Sequence, residues 1–165
     1  MEFKQKIQED LKTALKEKRE LELSVLRMLN AAITNKEKEK RYKASKAKTE
    51  LSGEQLVKES QLNEEETIEV ISGEIKKRRE AVLLFEKGGR QELAEKEKKE
   101  AAILEKYLPE QLSKEELKKL AKEAVESVGA EKIKDMGKVM SELMPKIKGK
   151  ADGSLVSEIV KRLLS

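Results

Sequence analysis

A chain of 165 residues allows one domain or two small ones, and with 37% hydrophobic against 42% charged residues it can bury only narrow apolar stripes, the burial pattern of helices. It has neither cysteine nor histidine, which excludes disulfides and removes the side chains most used as neutral-pH bases, thiol nucleophiles and zinc ligands. The net charge of +4 is unevenly laid out: residues 1–49 carry fourteen Lys/Arg against eight Asp/Glu, residues 50–75 one against eight, and residues 132–150 six lysines against Asp135 and Glu142.

In chain order, Phe3, Ile7, Leu11, Ala14 and Leu15 recur at spacings of three and four and predict an amphipathic helix from about Glu2 to Lys18. Leu21, Val25, Leu26, Leu29, Ala32 and Ile33 predict a second from about Arg19 to Arg41, with a wholly polar tail. Residues 42–62, with Ser52-Gly53 and little periodicity apart from Leu51, Leu56 and Val57, read as a mobile linker with room for one turn of helix. Asn63 followed by Glu66 is a capping pattern for a helix reaching about Lys87, with Ile68, Ile71, Ile75, Arg78, Val82 and Phe85 on one face. Gly88-Gly89 ends it, and a fourth helix from Arg90 to Tyr107 carries Leu93, Glu97, Ala101, Leu104 and Leu108 up to Pro109. The short connection makes these two helices antiparallel neighbours.

Ser113 with Glu116 opens a helix carrying Leu117, Leu120, Ala121, Ala124 and Val125, which ends at Gly129. Asp135 is expected to cap the next helix, with Val139, Met140, Leu143 and Met144 on one side and Gly137 leaving room for a neighbouring backbone. Lys146, Lys148 and Lys150 crowd its exit, and Asp152 caps a last helix striped with Leu155, Val156, Ile159, Val160 and Leu163. The expected fold is all-α: N-terminal long-helix hairpins over 1–108, then a small C-terminal three-helix unit over 109–165. No apolar leader follows Met1 and no run is long enough to span a membrane, so the expected location is the cytoplasm, with no membrane partner.

Arg78 stands where its stripe asks for Leu or Ile, and a buried guanidinium needs an anionic partner. Glu97 holds the matching place on the next helix, so the two are expected to pair across the hairpin as a structural ion pair fixing register. Lys76-Lys77-Arg78-Arg79 is basic in the linear sequence, yet on a helix the four point in four directions and make no single patch. Arg27 is expected to pack between helices. No carboxylate pair is marked out for acid/base work and no Walker-type loop occurs, so no catalytic residue, metal ligand or cofactor is assigned.

The stretch Asp135-Met-Gly-Lys-Val-Met140, followed by Gly149-Lys-Ala-Asp-Gly153 and taken with Leu26-Arg-Met-Leu29 and Tyr107-Leu-Pro109, resembles the GatB/YqeY family over the whole chain. It is similar to the stand-alone YqeY type, whose C-terminal part resembles the tail domain of the B subunit of the glutamine-dependent tRNA amidotransferase. The resemblance implies a tRNA-holding role, placed here on Lys138, Lys146, Lys148 and Lys150. The amidotransferase's own chemistry sits in a separate catalytic domain with no counterpart here. The lysines have two readings: cations placed near the carbonyls of a helix C-terminus, or contacts to phosphate. With Phe3, Phe85, Tyr42 and Tyr107 as the sole aromatics, a platform for stacking single-stranded bases is missing, and structured RNA is the better fit. The expected function is therefore non-catalytic binding of structured RNA, most plausibly tRNA. The alternative is a helical adaptor for a protein partner such as a synthetase or an amidotransferase, which the acidic run from 50 to 74 favours. Carbon-nitrogen ligase activity with glutamine as amido donor is the least favoured reading.

Overall fold

The computed structural model describes residues 2–47 and 51–165, and among them it is all-α, without strands. The chain divides into two compact units, the first ending at Tyr107 and the second beginning at Leu108.

The first unit contains α1 (Glu2–Lys16), α2 (Glu20–Ala47), α3 (Gly53–Glu59), α4 (Glu64–Lys87) and α5 (Gln91–Glu105). Lys18 takes the left-handed conformation, φ 55°, where the chain turns from α1 into α2. The stripes meet as their spacing requires: Ile7 and Ala14 of α1, Val25, Leu26, Leu29 and Ile33 of α2, and Ile71 and Ile75 of α4 are all buried. Asn63 and Glu66 form a reciprocal capping box that starts α4. Beyond Gly88, Gly89 turns the chain at φ 70° into α5. At the end of the unit, the buried Tyr107 donates its hydroxyl to Asp10 Oδ2 at 2.6 Å.

Two features of this unit differ from the reading of the sequence. The polar tail of α2 continues as helix through Ala47, and residues 53–59 form a two-turn helix opened by a capping box of Ser52 and Gln55. The linker expected over 42–62 includes residues 48–50, which lie outside the described residues. The reason for the longer α2 is tertiary. Lys40 Nζ lies 2.7 Å from Glu66 and donates to the Gln61 carbonyl, Arg41 donates to Ser60 Oγ, and Glu37 accepts from the Leu62 backbone N–H and from Lys4. The basic and acidic runs that are separated along the chain thus lie against each other in space. Arg27 is exposed rather than packed, because the helix faces that meet α2 are already filled by Val25, Leu26 and Leu29.

The second unit holds α6 (Lys114–Ser127), a 3-10 turn (Ile133–Asp135), α7 (Met136–Ile147) and α8 (Gly153–Leu163). Ser113 and Glu116 form its first capping box, while Asp152 accepts from the N–H groups of Ser154 and Leu155 to start α8. Leu117, Ala121, Ala124, Val139, Leu143, Ile147, Val156, Ile159 and Val160 form one core shared by the three helices. No helix among the described residues is long and apolar enough to cross a membrane.

Candidate nucleic-acid interface

The loop between α7 and α8 is built to hold its shape. Lys148 leaves the helix in a turn, at φ −55° and ψ 121°, and Gly149 takes φ 72°, a region that strains any residue with a Cβ. The Lys150 N–H then donates back to the Ile147 carbonyl at 2.8 Å. Two further bonds fasten the loop to the segment before α6: Leu112 N–H donates to the Lys150 carbonyl at 2.8 Å, and Gln111 Nε2 donates to the Gly149 carbonyl at 2.7 Å. Gln111 also donates to the Pro109 carbonyl. The Lys150 backbone is therefore fixed from both sides while its side chain remains exposed.

The four lysines singled out by sequence are not equivalent. Lys146 is exposed and pairs with Glu142 at 2.8 Å, Lys148 is half-buried, and Lys150 is exposed. Lys138 is 74% exposed, lies 3.6 Å from Asp135, and sits eight residues before Lys146, about 12 Å along the axis of α7. Lys146, Lys148 and Lys150 thus gather at one end of α7 and Lys138 stands near the other.

Asp135 does not cap α7 with its side chain. It turns back to accept from the Lys132 N–H at 3.3 Å, because a 3-10 turn precedes α7 and takes over the carboxylate. Desolvation raises the pKa of this carboxyl, but the backbone N–H groups of Lys132 and Glu131, with Lys138 and Lys134 nearby, outweigh it and hold the group below the usual aspartate range. Gly137 faces open space rather than a neighbouring backbone, as does Gly153. Both leave bare main chain on the outer surface of the unit.

The sequence reading missed the lysines of α6. The bond from Leu112 to Lys150 places the loop beside the start of this helix, whose Lys114, Lys118 and Lys122 recur every four residues and are all exposed. The signal was present in that spacing behind the Ser113 cap.

Arg78 is buried, 5% exposed, but Glu97 is not its partner. Its Nε donates to Glu100 Oε2 at 3.2 Å, and its Nη1 donates to the side chain and the carbonyl of Glu74 at the same distance. The connection between α4 and α5 comprises Gly88, Gly89 and Arg90, so Arg78, ten residues before it, faces Glu100, ten residues after it. Glu97 lies three residues nearer the turn, about 4.5 Å of axial rise, and is half-buried. Of the neighbouring cations, Lys77 pairs with Glu74 and Arg79 with Glu105, and the run forms no common patch.

Comparison with curated proteins finds no match. Residues 4–164 match the family model described as Yqey-like protein, and the chain accordingly belongs to the Yqey-like family.

Proposed function

We propose that the protein is a non-catalytic module that binds structured RNA, with tRNA the favoured class, through the lysines of its C-terminal unit. The observation that carries this reading is the fastening of Gly149 and Lys150 to Gln111 and Leu112, which keeps an exposed lysine loop in one conformation at the start of α6, a helix whose Lys114, Lys118 and Lys122 are exposed. A preordered cationic surface loses little entropy on meeting a folded RNA backbone. The open main chain at Gly137 and Gly153 supports close approach of a large ligand. The family's likeness to the amidotransferase tail names tRNA as the first RNA to try.

The test is a titration of the purified protein with bulk tRNA and with duplex DNA of similar charge, alongside the variant Lys138→Glu/Lys148→Glu/Lys150→Glu. If about four phosphates are neutralised, a fourfold rise in salt weakens tRNA binding by about a hundredfold. The variant is expected to lose the preference for tRNA. Equal weak binding to both nucleic acids, unchanged in the variant, would refute the reading and leave the protein-adaptor alternative standing.

A further inference from the structure

We propose that the outer face of the α2 tail, formed by Lys38, Tyr42 and Lys46, is a site for one unpaired nucleobase of a single-stranded RNA segment. The base stacks on the Tyr42 ring, and the two lysines hold the phosphates on either side of it. The site belongs to the first unit and goes beyond the proposed binding of structured RNA by the lysines of the second, without resting on it.

The tail of α2 has an inner and an outer side. Glu37, Lys40 and Arg41 are half-buried and reach the Leu62 N–H, Glu66 and Ser60. Round the helix axis Tyr42 lies about 140° from Glu37 and about 160° from Lys40. The ties that keep the tail helical therefore turn the ring away from the fold, and Tyr42 is 60% exposed. Lys38 and Lys46 stand one turn before it and one turn after it, about 6 Å of rise in each direction, and both are exposed. The face is thus set in place before any ligand arrives.

The charge of this face is not cancelled from within. Glu37 is taken up by Lys4, and Lys40 by Glu66. Lys36 and Lys43 both meet Glu39, at 3.2 and 2.6 Å, so one carboxylate answers two ammonium groups. Among the described residues neither Lys38 nor Lys46 is in an ion pair. Lys36, Lys38, Lys43 and Lys46 against Glu39 leave a net +3. Arg41 offsets the single net negative charge of α3, which carries Glu54, Lys58 and Glu59. An anionic ligand is required, and the exposed ring narrows its class.

Lys46 Nζ lies 4.6 Å from the centroid of the Tyr42 ring. A helical side chain leans back over the preceding turn, so the ammonium covers one face of the ring and leaves the opposite face to a base. At an exposed position this cation–π contact is weak, and Lys46 can swing from it to a phosphate. An acidic peptide would satisfy the lysines and leave the ring idle, whereas a nucleotide uses both. Only an unpaired base offers its flat face to a side chain. One tyrosine cannot serve a run of bases, and the spacing suits one nucleotide: Lys38 and Lys46 stand about 12 Å apart along the axis, on flexible stems that fold inward onto the flanking phosphates.

The experiment titrates the full chain at low salt with two dye-labelled RNA strands of five nucleotides, followed by anisotropy. One carries a single adenine between abasic positions, and the other is abasic throughout and equal in charge. The adenine strand is expected to bind about tenfold more tightly. Tyr42→Ala should remove that preference and Tyr42→Phe should keep it, both with unchanged thermal midpoints because the ring is exposed. Lys38→Glu/Lys46→Glu should weaken both strands and lower the salt slope by about 1.4, the value for two phosphates on a single strand. The chain has no tryptophan and Tyr107 is 4% exposed, so quenching of tyrosine emission by the adenine strand reports on Tyr42. Equal binding of the two strands, or a preference that survives Tyr42→Ala, would overturn the proposal. Loss of the preference in Lys138→Glu/Lys148→Glu/Lys150→Glu would place it on the second unit and overturn it too, while its retention there supports the site whichever way the tRNA titration falls. A pentaglutamate peptide that binds as tightly as the adenine strand would assign the face to an acidic protein segment and refute the nucleobase.

Discussion

Replacing Glu100 by Gln should destabilise the first unit by about 2–3 kcal/mol, and Glu97→Gln, one turn away, by no more than about 0.5 kcal/mol. The magnitude comes from the geometry of Arg78. Removing one member of a buried ion pair costs about 3–5 kcal/mol when the survivor is left alone, but Arg78 keeps the carboxylate and the carbonyl of Glu74, which places Glu100→Gln below that range. Arg78→Met has no such relief, since Glu100 is 7% exposed, and is expected to cost the full amount of about 3–5 kcal/mol. Replacing both, as Arg78→Met with Glu100→Leu, exchanges a desolvated pair for apolar packing and should return stability to within about 1 kcal/mol of the wild type. Urea unfolding followed by far-ultraviolet circular dichroism on the full chain reads all four variants, with the transition of the first unit analysed separately from that of the second. Equal losses for Glu97→Gln and Glu100→Gln would refute the register derived from the three-residue connection. A double variant as unstable as the sum of its singles would refute the claim that desolvation nearly cancels the attraction in this pair.

Three further outcomes are expected. Gly73→Ala should stabilise the first unit by about 0.5–1 kcal/mol, because its Cβ enters open space and alanine loses less entropy in a helix; thermal unfolding with a raised midpoint checks it. Ser113→Ala should cost the second unit about 1 kcal/mol by opening the capping box, leaving the first transition unmoved. The Ser113 side chain and backbone hold the Glu116 carboxyl below its ordinary range, so its contribution is present above about pH 4.3 and fades as pH falls through the lower folded value; in Ser113→Ala the Glu116 titration followed by NMR should move up. Tyr107→Phe should cost the first unit about 1.5 kcal/mol at neutral pH through the lost bond to Asp10. Burial, followed by the Asp10 carboxylate, pushes the phenol pKa well up, so its contribution is complete below about pH 10 and is lost as pH rises toward the folded value; urea unfolding at alkaline pH should show a steeper decline for the wild type than for the phenylalanine variant.

The all-α class and most helix starts were legible in the sequence because they rest on local chemistry. Asn63 with Glu66, Ser113 with Glu116, and Asp152 each act within a few residues of themselves, and the structure shows all three capping as their patterns state. The Ser52 and Gln55 box is equally local and went unread behind the polarity of its surroundings. What escaped was tertiary. The tail of α2 carries no apolar stripe, and its helix is held by Glu37, Lys40 and Arg41 reaching residues 60–66, a registry that no linear pattern announces. Glu97 was preferred to Glu100 because the stripe was read through Leu93 and Glu97, whereas the positions of α5 that turn inward are Ala94, Glu100, Ala101 and Leu104. At the candidate interface the lysines and their exposure could be read from composition and position. The clasp between residues 111–112 and 149–150, which brings α6 beside the loop, could not.

The bond between Tyr107 and Asp10 ties the last residue of the first unit to its opening helix across 97 positions of chain. During vectorial synthesis, most helices of that unit find their partners early, but α1 cannot complete its contacts until Tyr107 has left the ribosome. The first unit is thereby committed late, at the moment the second unit begins to emerge, and a stall shortly before residue 107 would leave α1 with its polar anchor missing.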